Sequence, residues 1–170
     1  MMRRDRRSRS GTTLVELLIV LSTATLLLTL GVSGLTSLIN RNRLAVAANE
    51  LLSLFTLARA TAVTRGRAVT ICAWEPSHQD CHRLKQDWSV ADIAVAIDND
   101  GDGKVDQLSR LHRLDSSVRA YTDAPSVTFD ALGSTSDFTA ILCDTKGAKR
   151  ITVAAIGRAA ILEGQPGDCP

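Results

Sequence analysis

The sequence predicts an α+β chain in which one long N-terminal helix carries a β-rich head, and three observations predict it. No charge interrupts the 23 residues from Leu17 to Ile39. Next, Leu44, Ala48, Leu51, Phe55, Ala58 and Ala62 recur at intervals of three and four, the apolar stripe of an amphipathic helix. Beyond Gly66 the pattern becomes short β-type runs divided by turn formers.

The apolar run governs topology. About 20 residues cross a bilayer as a helix, so one crossing is available. Arg3, Arg4, Arg6, Arg7 and Arg9 precede it and hold the N-terminus in the cytoplasm, which sends everything after Ile39 outward. Glu16 stands at the head of this run. An acid in hydrocarbon costs about 2.5 to 3.5 kcal/mol on insertion scales, so Glu16 calls for a partner charge. A cleaved secretory signal would place its small-residue site near Ser22-Thr23-Ala24, yet the run continues through Leu26, Leu27, Leu28 and Leu30. A plain anchor accounts for neither Gly11 nor Glu16.

Gly11-Thr12-Thr13-Leu14-Val15-Glu16 resembles the class III signal of type IV pilins and type II secretion pseudopilins. The resemblance implies that a prepilin peptidase cuts between Gly11 and Thr12, N-methylates Thr12 and leaves the helix attached. It also implies that Glu16 neutralises the terminal amine of a neighbouring pilin as an inner-membrane platform assembles the filament. Thr12 departs from the family's usual phenylalanine at the first mature position. Residues 1–11 are then a leader, 12–39 the transmembrane and assembly half of the helix, 40–67 its amphipathic half, and 68–170 the head. Loss of the leader leaves 15 basic and 17 acidic residues, so a formal charge of +2 becomes −2. General nucleic-acid affinity thereby loses its compositional basis.

No proline interrupts Leu14 to Gly66, so both halves read as one helix of about 50 residues, near 75 Å at about 1.5 Å per residue. Gly66 marks its end. Strands are expected at Val69–Trp74, Ile93–Ile97, Leu108–Leu114, Val127–Phe129, Phe138–Cys143 and Ile151–Ile156. About 100 residues bury one modest core, so these runs form a single domain packed on the helix stripe.

Asn42-Arg43-Leu44, Asn49-Glu50-Leu51-Leu52, Leu57-Ala58-Arg59, Ala62-Val63, Arg65-Gly66-Arg67 and Val69-Thr70-Ile71-Cys72 resemble the FimT/GspH family. Trp88, Asp98 to Gly103, Val127-Thr128-Phe129, Cys143 and Ile156-Gly157-Arg158 continue the likeness more loosely. The family contains minor pilins of type IV pili and H-type pseudopilins of type II secretion. The resemblance therefore implies a pilin fold with an antiparallel β-sandwich head, and a structural role in either filament. It also implies a single-pass inner-membrane protein with a periplasmic head before assembly.

Four cysteines follow the apolar run, and an oxidising compartment favours disulfides. Of three possible pairings, Cys72 with Cys81 and Cys143 with Cys169 is favoured: one fixes a loop after a strand, the other ties down the C-terminal tail. The rival is zinc on Cys72, His78, Cys81 and His82, which oxidised cysteines could not bind. No metal or other cofactor is expected. Asp98, Asp100, Asp102 and Asp106 occupy positions 1, 3, 5 and 9 of a calcium-loop register with Gly103 at position 6 of the run, but position 12 is Ser109 rather than a bidentate Glu. A hairpin turn rich in Gly, Asn and Asp uses the same residues.

No nucleophile elbow, phosphate-binding glycine loop or HExxH occurs, so an enzyme is not expected. DNA binding is the alternative function. Some FimT-like pilins are linked to DNA uptake through a Gly-Arg-x-Arg motif, of which Gly157-Arg158-Ala159-Ala160 keeps one arginine. Lys146, Lys149, Arg150 and Arg158 are the candidate phosphate contacts. From Ala68 onward, however, ten basic residues face fifteen acidic ones.

Overall fold

The computed structural model describes residues 13–82, 86–89, 91–100, 102, 104–145 and 147–169, with the side chains of 28–41 and 166 outside that description. A single helix, α1, runs Leu14–Arg65. Its start is capped by Thr13, whose hydroxyl accepts from the Glu16 amide at 3.3 Å. Its end is set by Gly66 at φ +62°, a left-handed conformation that costs other residues strain. The Arg67 amide then donates back to the Ala62 carbonyl at 3.2 Å, the six-to-one bond of a Schellman cap.

By contact density the chain divides into two units, residues 1–40 and 41–170. The first is described as helix from Leu14, and its Leu14–Leu27 segment is apolar and exposed on every face. The second is the head. It contains β1 (Val69–Glu75), β2 (Asp80–Cys81), β3 (Ile93–Ile97), β4 (Gln107–His112), β5 (Arg119–Thr122), β6 (Ser126–Phe129), β7 (Phe138–Cys143), β8 (Ala148–Val153) and β9 (Ala159–Gly164). All pairings are antiparallel. One sheet is built around β1, which pairs with β3 on one side and with β6 and then β2 on the other, while β4 pairs with β3. The second sheet has the order β5-β7-β8-β9.

Both sheets close on one core with the helix stripe. Leu51, Phe55, Ala58 and Ala62 of α1 are fully buried with Ile71, Val95, Phe129, Phe138 and Ile151. Phe55 meets Phe138 edge-on with ring centres 5.6 Å apart, and Trp88 lies 5.6 Å from the same ring. The strand β3 is buried along its whole length, and its register with β4 shifts between Val95 and Ala96.

The architecture is the α+β arrangement expected, with differences in the strands. β8 ends at Val153, because Ala154 to Gly157 form a turn closed by the Gly157 amide donating to the Ala154 carbonyl at 2.7 Å. Ile156 therefore belongs to a turn tip, and the strand is shifted three residues toward the N-terminus. β2, β5 and β9 are additional strands. The alanines of β9 and the shortness of β2 and β5 gave them little β-type signature.

A cap of hydrogen bonds orders the 115–117 turn. The Ser117 hydroxyl and amide donate to the Asp115 carboxylate at 2.6 and 2.8 Å, and with Arg43 nearby they hold that carboxyl below its usual 3.8. A depressed folded-state value stabilises the fold above pH about 3.8, and that contribution disappears as pH falls through the folded value. The stability gap between the parent and Asp115→Asn should thus be present at neutral pH and shrink toward zero below the carboxylate range, read by melting temperature at each pH. A second comparison concerns two of the three described glycines at positive φ, Gly66 and Gly157. Gly66 faces open space, whereas a Cβ on Gly157 (φ +75°) would lie 1.9 Å from the Gly133 carbonyl oxygen. Urea denaturation should show Gly66→Ala costing about 1–2 kcal/mol and Gly157→Ala about 3 kcal/mol or more.

Candidate assembly helix and head surface

The apolar segment Leu14–Leu27 exposes leucine, isoleucine and valine around its full circumference, between 78% at Leu14 and 57% at Leu17. A helix apolar all round is made for lipid or for other helices, since water penalises each such face. The described part of that apolar segment is shorter than a membrane span, whereas Asn42–Arg65 is long and apolar enough to cross one by length and composition, at mean hydropathy 1.2. That segment has another use: its apolar stripe fills the head core.

Glu16 lies exposed in the first turn of α1, three residues after the Thr13 cap. Thr13-Leu14-Val15-Glu16 is the sequence of a capping box, and an acid there also offsets the positive end of the helix dipole. Sequence reading overlooked this local role, although the Thr-x-x-Glu spacing signalled it. Gly11 and Thr12, the expected cleavage and methylation residues, lie outside the described residues.

The four cysteines form two bridges, Cys72–Cys81 and Cys143–Cys169, with Cα atoms 5.6 and 6.0 Å apart. The first ties β2 to the centre of β1, leaving neither sulfur able to bind zinc as a thiolate. The histidines of that rival set have other neighbours. Ser77 Oγ lies 3.0 Å from His78 Nδ1, and His82 Nε2 lies 3.9 Å from Glu75. Ser77 also donates to Glu75 at 2.7 Å, which holds that carboxyl below its usual range, with His82 and His78 adding attraction.

Asp98, Asp100 and Asp106 bring one carboxylate oxygen each within 4.8 Å of one another. Backbone amides already serve this loop. Asn99 donates to Asp106 at 2.6 Å, Asp102 to Asp100 at 3.1 Å and Lys104 to Asp102 at 2.8 Å. The Lys104 amide and ammonium hold the Asp102 carboxyl below its usual range. Ser109 lies in β4 and gives no bidentate carboxylate to the set.

The candidate basic residues do not form one open patch. Lys149 pairs with Glu163 across β8 and β9, and Arg150 pairs with Asp168 of the tail at 3.0 Å. Arg158 is exposed beside the Gly157 turn. Lys146 lies outside the described residues. Gly157 has a structural duty of its own, because its turn abuts the Gly133 turn and both lie against Arg59, which donates to the Gly133 carbonyl at 3.2 Å.

A family model described as "Type II transport protein GspH" matches residues 47–157. Among solved structures, the type IV minor pilin FimU of Pseudomonas aeruginosa PAO1 is similar in two crystal forms. In one it has TM-score 0.54 and 24% identity, covering 70% of this chain and 92% of that one. In the other it has TM-score 0.55 and 24% identity, covering 77% and 95%. The minor pseudopilin EpsH of the Vibrio cholerae type 2 secretion system has TM-score 0.52 and 12% identity, covering 71% and 97%. These structural likenesses show a shared pilin fold. No curated protein matches the chain.

The carboxylate loop generates one expectation. Because its amide bonds order it without an ion, millimolar calcium should leave the melting temperature unchanged. A site with a sub-millimolar dissociation constant would raise it.

Proposed function

The chain belongs to the GspH family of type II transport proteins, and from that premise we propose that it is a structural subunit of a type IV pilus or a type II secretion pseudopilus. The observation that carries the reading is the pairing of a self-sufficient head core with an exposed helix that is apolar on every face. Such a helix has no place in water. In the membrane it is stored among lipid, and in a filament it packs against the helices of other pilins.

On this reading the helix is cut, stored in the membrane and then assembled. Residues 1–11 form a basic leader removed by prepilin peptidase, with the cut after Gly11 and methylation of Thr12. Residues 12–39 anchor the subunit in the inner membrane, with the 68–170 head in the periplasm. The assembly platform then draws the helix out of lipid. Glu16 supplies register, since its carboxylate is penalised away from water unless the neighbour's terminal amine aligns with it. Apolar packing supplies cohesion, and this function asks for no bond-making chemistry from the head.

DNA uptake has less support from the head. Two of the described basic candidates, Lys149 and Arg150, are already engaged by acids. Phosphate binding through them would require those pairs to open, and the head's acidic excess opposes it.

Two substitutions separate the register role of Glu16 from its helix-capping role. Glu16→Gln keeps a polar side chain at the third helical position but removes the charge, whereas Glu16→Ala removes both. On the proposed function both variants are processed and inserted normally, and both lose incorporation into sheared filaments on immunoblots. Normal incorporation of Glu16→Gln refutes the register role.

A further inference from the structure

On the filament reading the head lies outside the cytoplasm, and from that placement we propose that residues 165–169 are a strap clasped onto a finished head. Cys169 is the thiol that engages a thiol oxidase carrying a catalytic disulfide, and Cys143 is the thiol that resolves the mixed disulfide.

The strap crosses one face of the second sheet. Phe138, Ala140 and Leu142 of β7 belong to the core, so Ile141 and Cys143 lie on the other face with their register partners Arg150 and Ala148 of β8. β9 ends at Gly164, where a Cβ would come within 2.9 Å of Ala148, so the chain leaves the sheet close against β8. It then turns through Pro166–Asp168, meets Arg150 through the Asp168 carboxylate at 3.0 Å, and reaches β7 through the Cys143–Cys169 bridge. Beside it a cavity of about 290 Å³ remains against Tyr121, Thr139 and Ile141. The strap is thus held by two anchors, an ion pair and a disulfide, more than by packing.

The core does not depend on the strap. None of residues 165–169 belongs to the buried cluster on which both sheets close, and among the described residues none joins a strand ladder. The strap also carries its own turn: the Gln165 amide donates to the Asp168 carboxylate and the Asp168 amide to the Gln165 carbonyl, both at 2.9 Å. It can therefore lift as a preformed turn and leave the sheet intact. Cys143 is the opposite case. It is fixed in β7 between Arg119 of β5 and Ala148 of β8 and is 5% exposed, whereas Cys169 is half-buried even when clasped. Thiol–disulfide exchange requires access to the sulfur. A lifted strap presents Cys169 to a protein oxidant, while a sulfur level with a sheet surface is best reached by the strap that lies down on it.

The exchange then runs in two steps. The Cys169 thiolate attacks the oxidase disulfide, forming a mixed disulfide and releasing one oxidase thiolate. Asp168 docks on Arg150, and the Cys143 thiolate attacks Cys169 Sγ, expelling the second oxidase thiolate. The protons of Cys169 and Cys143 end on the oxidase, which leaves as a dithiol with the two electrons. Arg150 is a positioning residue: by laying the strap down it makes the second attack intramolecular.

The test uses the full chain with the Cys72–Cys81 bridge intact. In cells that assemble the filament, Cys143→Ser should accumulate a reductant-sensitive mixed disulfide on Cys169, seen on non-reducing gels, at about ten times the level that Cys169→Ser shows on Cys143. Purified in detergent micelles and given oxidised glutathione as the probe, Cys143→Ser should be glutathionylated about tenfold faster than Cys169→Ser, read by mass spectrometry. Both variants should keep the parent's circular dichroism. Arg150→Ala should slow closure of the Cys143–Cys169 bridge about tenfold, leave glutathionylation of Cys169 in the Cys143→Ser background unchanged, and be rescued in part by Arg150→Lys. Equal or reversed trapping overturns the assigned order of attack, loss of the folded signal in both cysteine variants overturns the finished head, and unchanged closure in Arg150→Ala overturns its positioning role. If alkylation in cells finds all four cysteines of the parent free, the extracytoplasmic placement fails and the filament reading with it. If the parent is fully bridged while trapping is reversed, the clasp proposal fails alone.

Discussion

The second half of α1 is asked to be the floor of a globular core while belonging to the same helix as an apolar rod. Leu51, Leu54 and Phe55 supply bulk, and Ala47, Ala48, Ala58 and Ala62 supply closeness, so strands from both sheets can approach the helix backbone. Removing a large side chain here leaves a cavity, and enlarging an alanine pushes a sheet away. The rest of the head follows from that surface. β1 leaves the helix through Gly66 and becomes the strand on which β3, β6 and β2 pair, while Phe138 brings the second sheet onto Phe55 and Trp88.

Where a side chain's periodicity and its burial coincide, the sequence is easily read. The stripe from Leu44 to Ala62 and the β-branched runs of β1, β3 and β7 are of this kind, because one local pattern reports one environment. Ile156 breaks the correspondence. Its β-branched side chain sits on an exposed turn tip, so propensity extended the strand where the turn's hydrogen bonds end it. β9 breaks it in the other direction. Its Ala159 and Ala160 are weak strand formers, but six residues of β8 hold them in register.

The candidate sites divide along the same line. Local signals such as Thr13 and Glu16 were present in the sequence, even though the membrane cost of the acid drew attention from its capping geometry. Long-range partners were not readable. Glu163 and Asp168 reach Lys149 and Arg150 only because β9 and the tail fold back along β8, and this changes what two apparent phosphate ligands face. Gly157 shows the same limit. Its place beside Arg158 invites a binding motif, whereas its close approach to Gly133 belongs to the packing of two turns.

The chain passes from β4 in the first sheet to β5 in the second, back to β6, and again to β7. These crossings join the sheets topologically, so neither can peel away as a separate flap. Tension transmitted through α1 meets the head first along the buried stripe from Leu44 to Ala62 and then at β1, which is paired on both edges over residues 69–72. Pulling along a strand gripped on both sides loads several hydrogen bonds in shear at once. The head is therefore wired to bear axial force as one body, with the Cys143–Cys169 clasp fastening its trailing end.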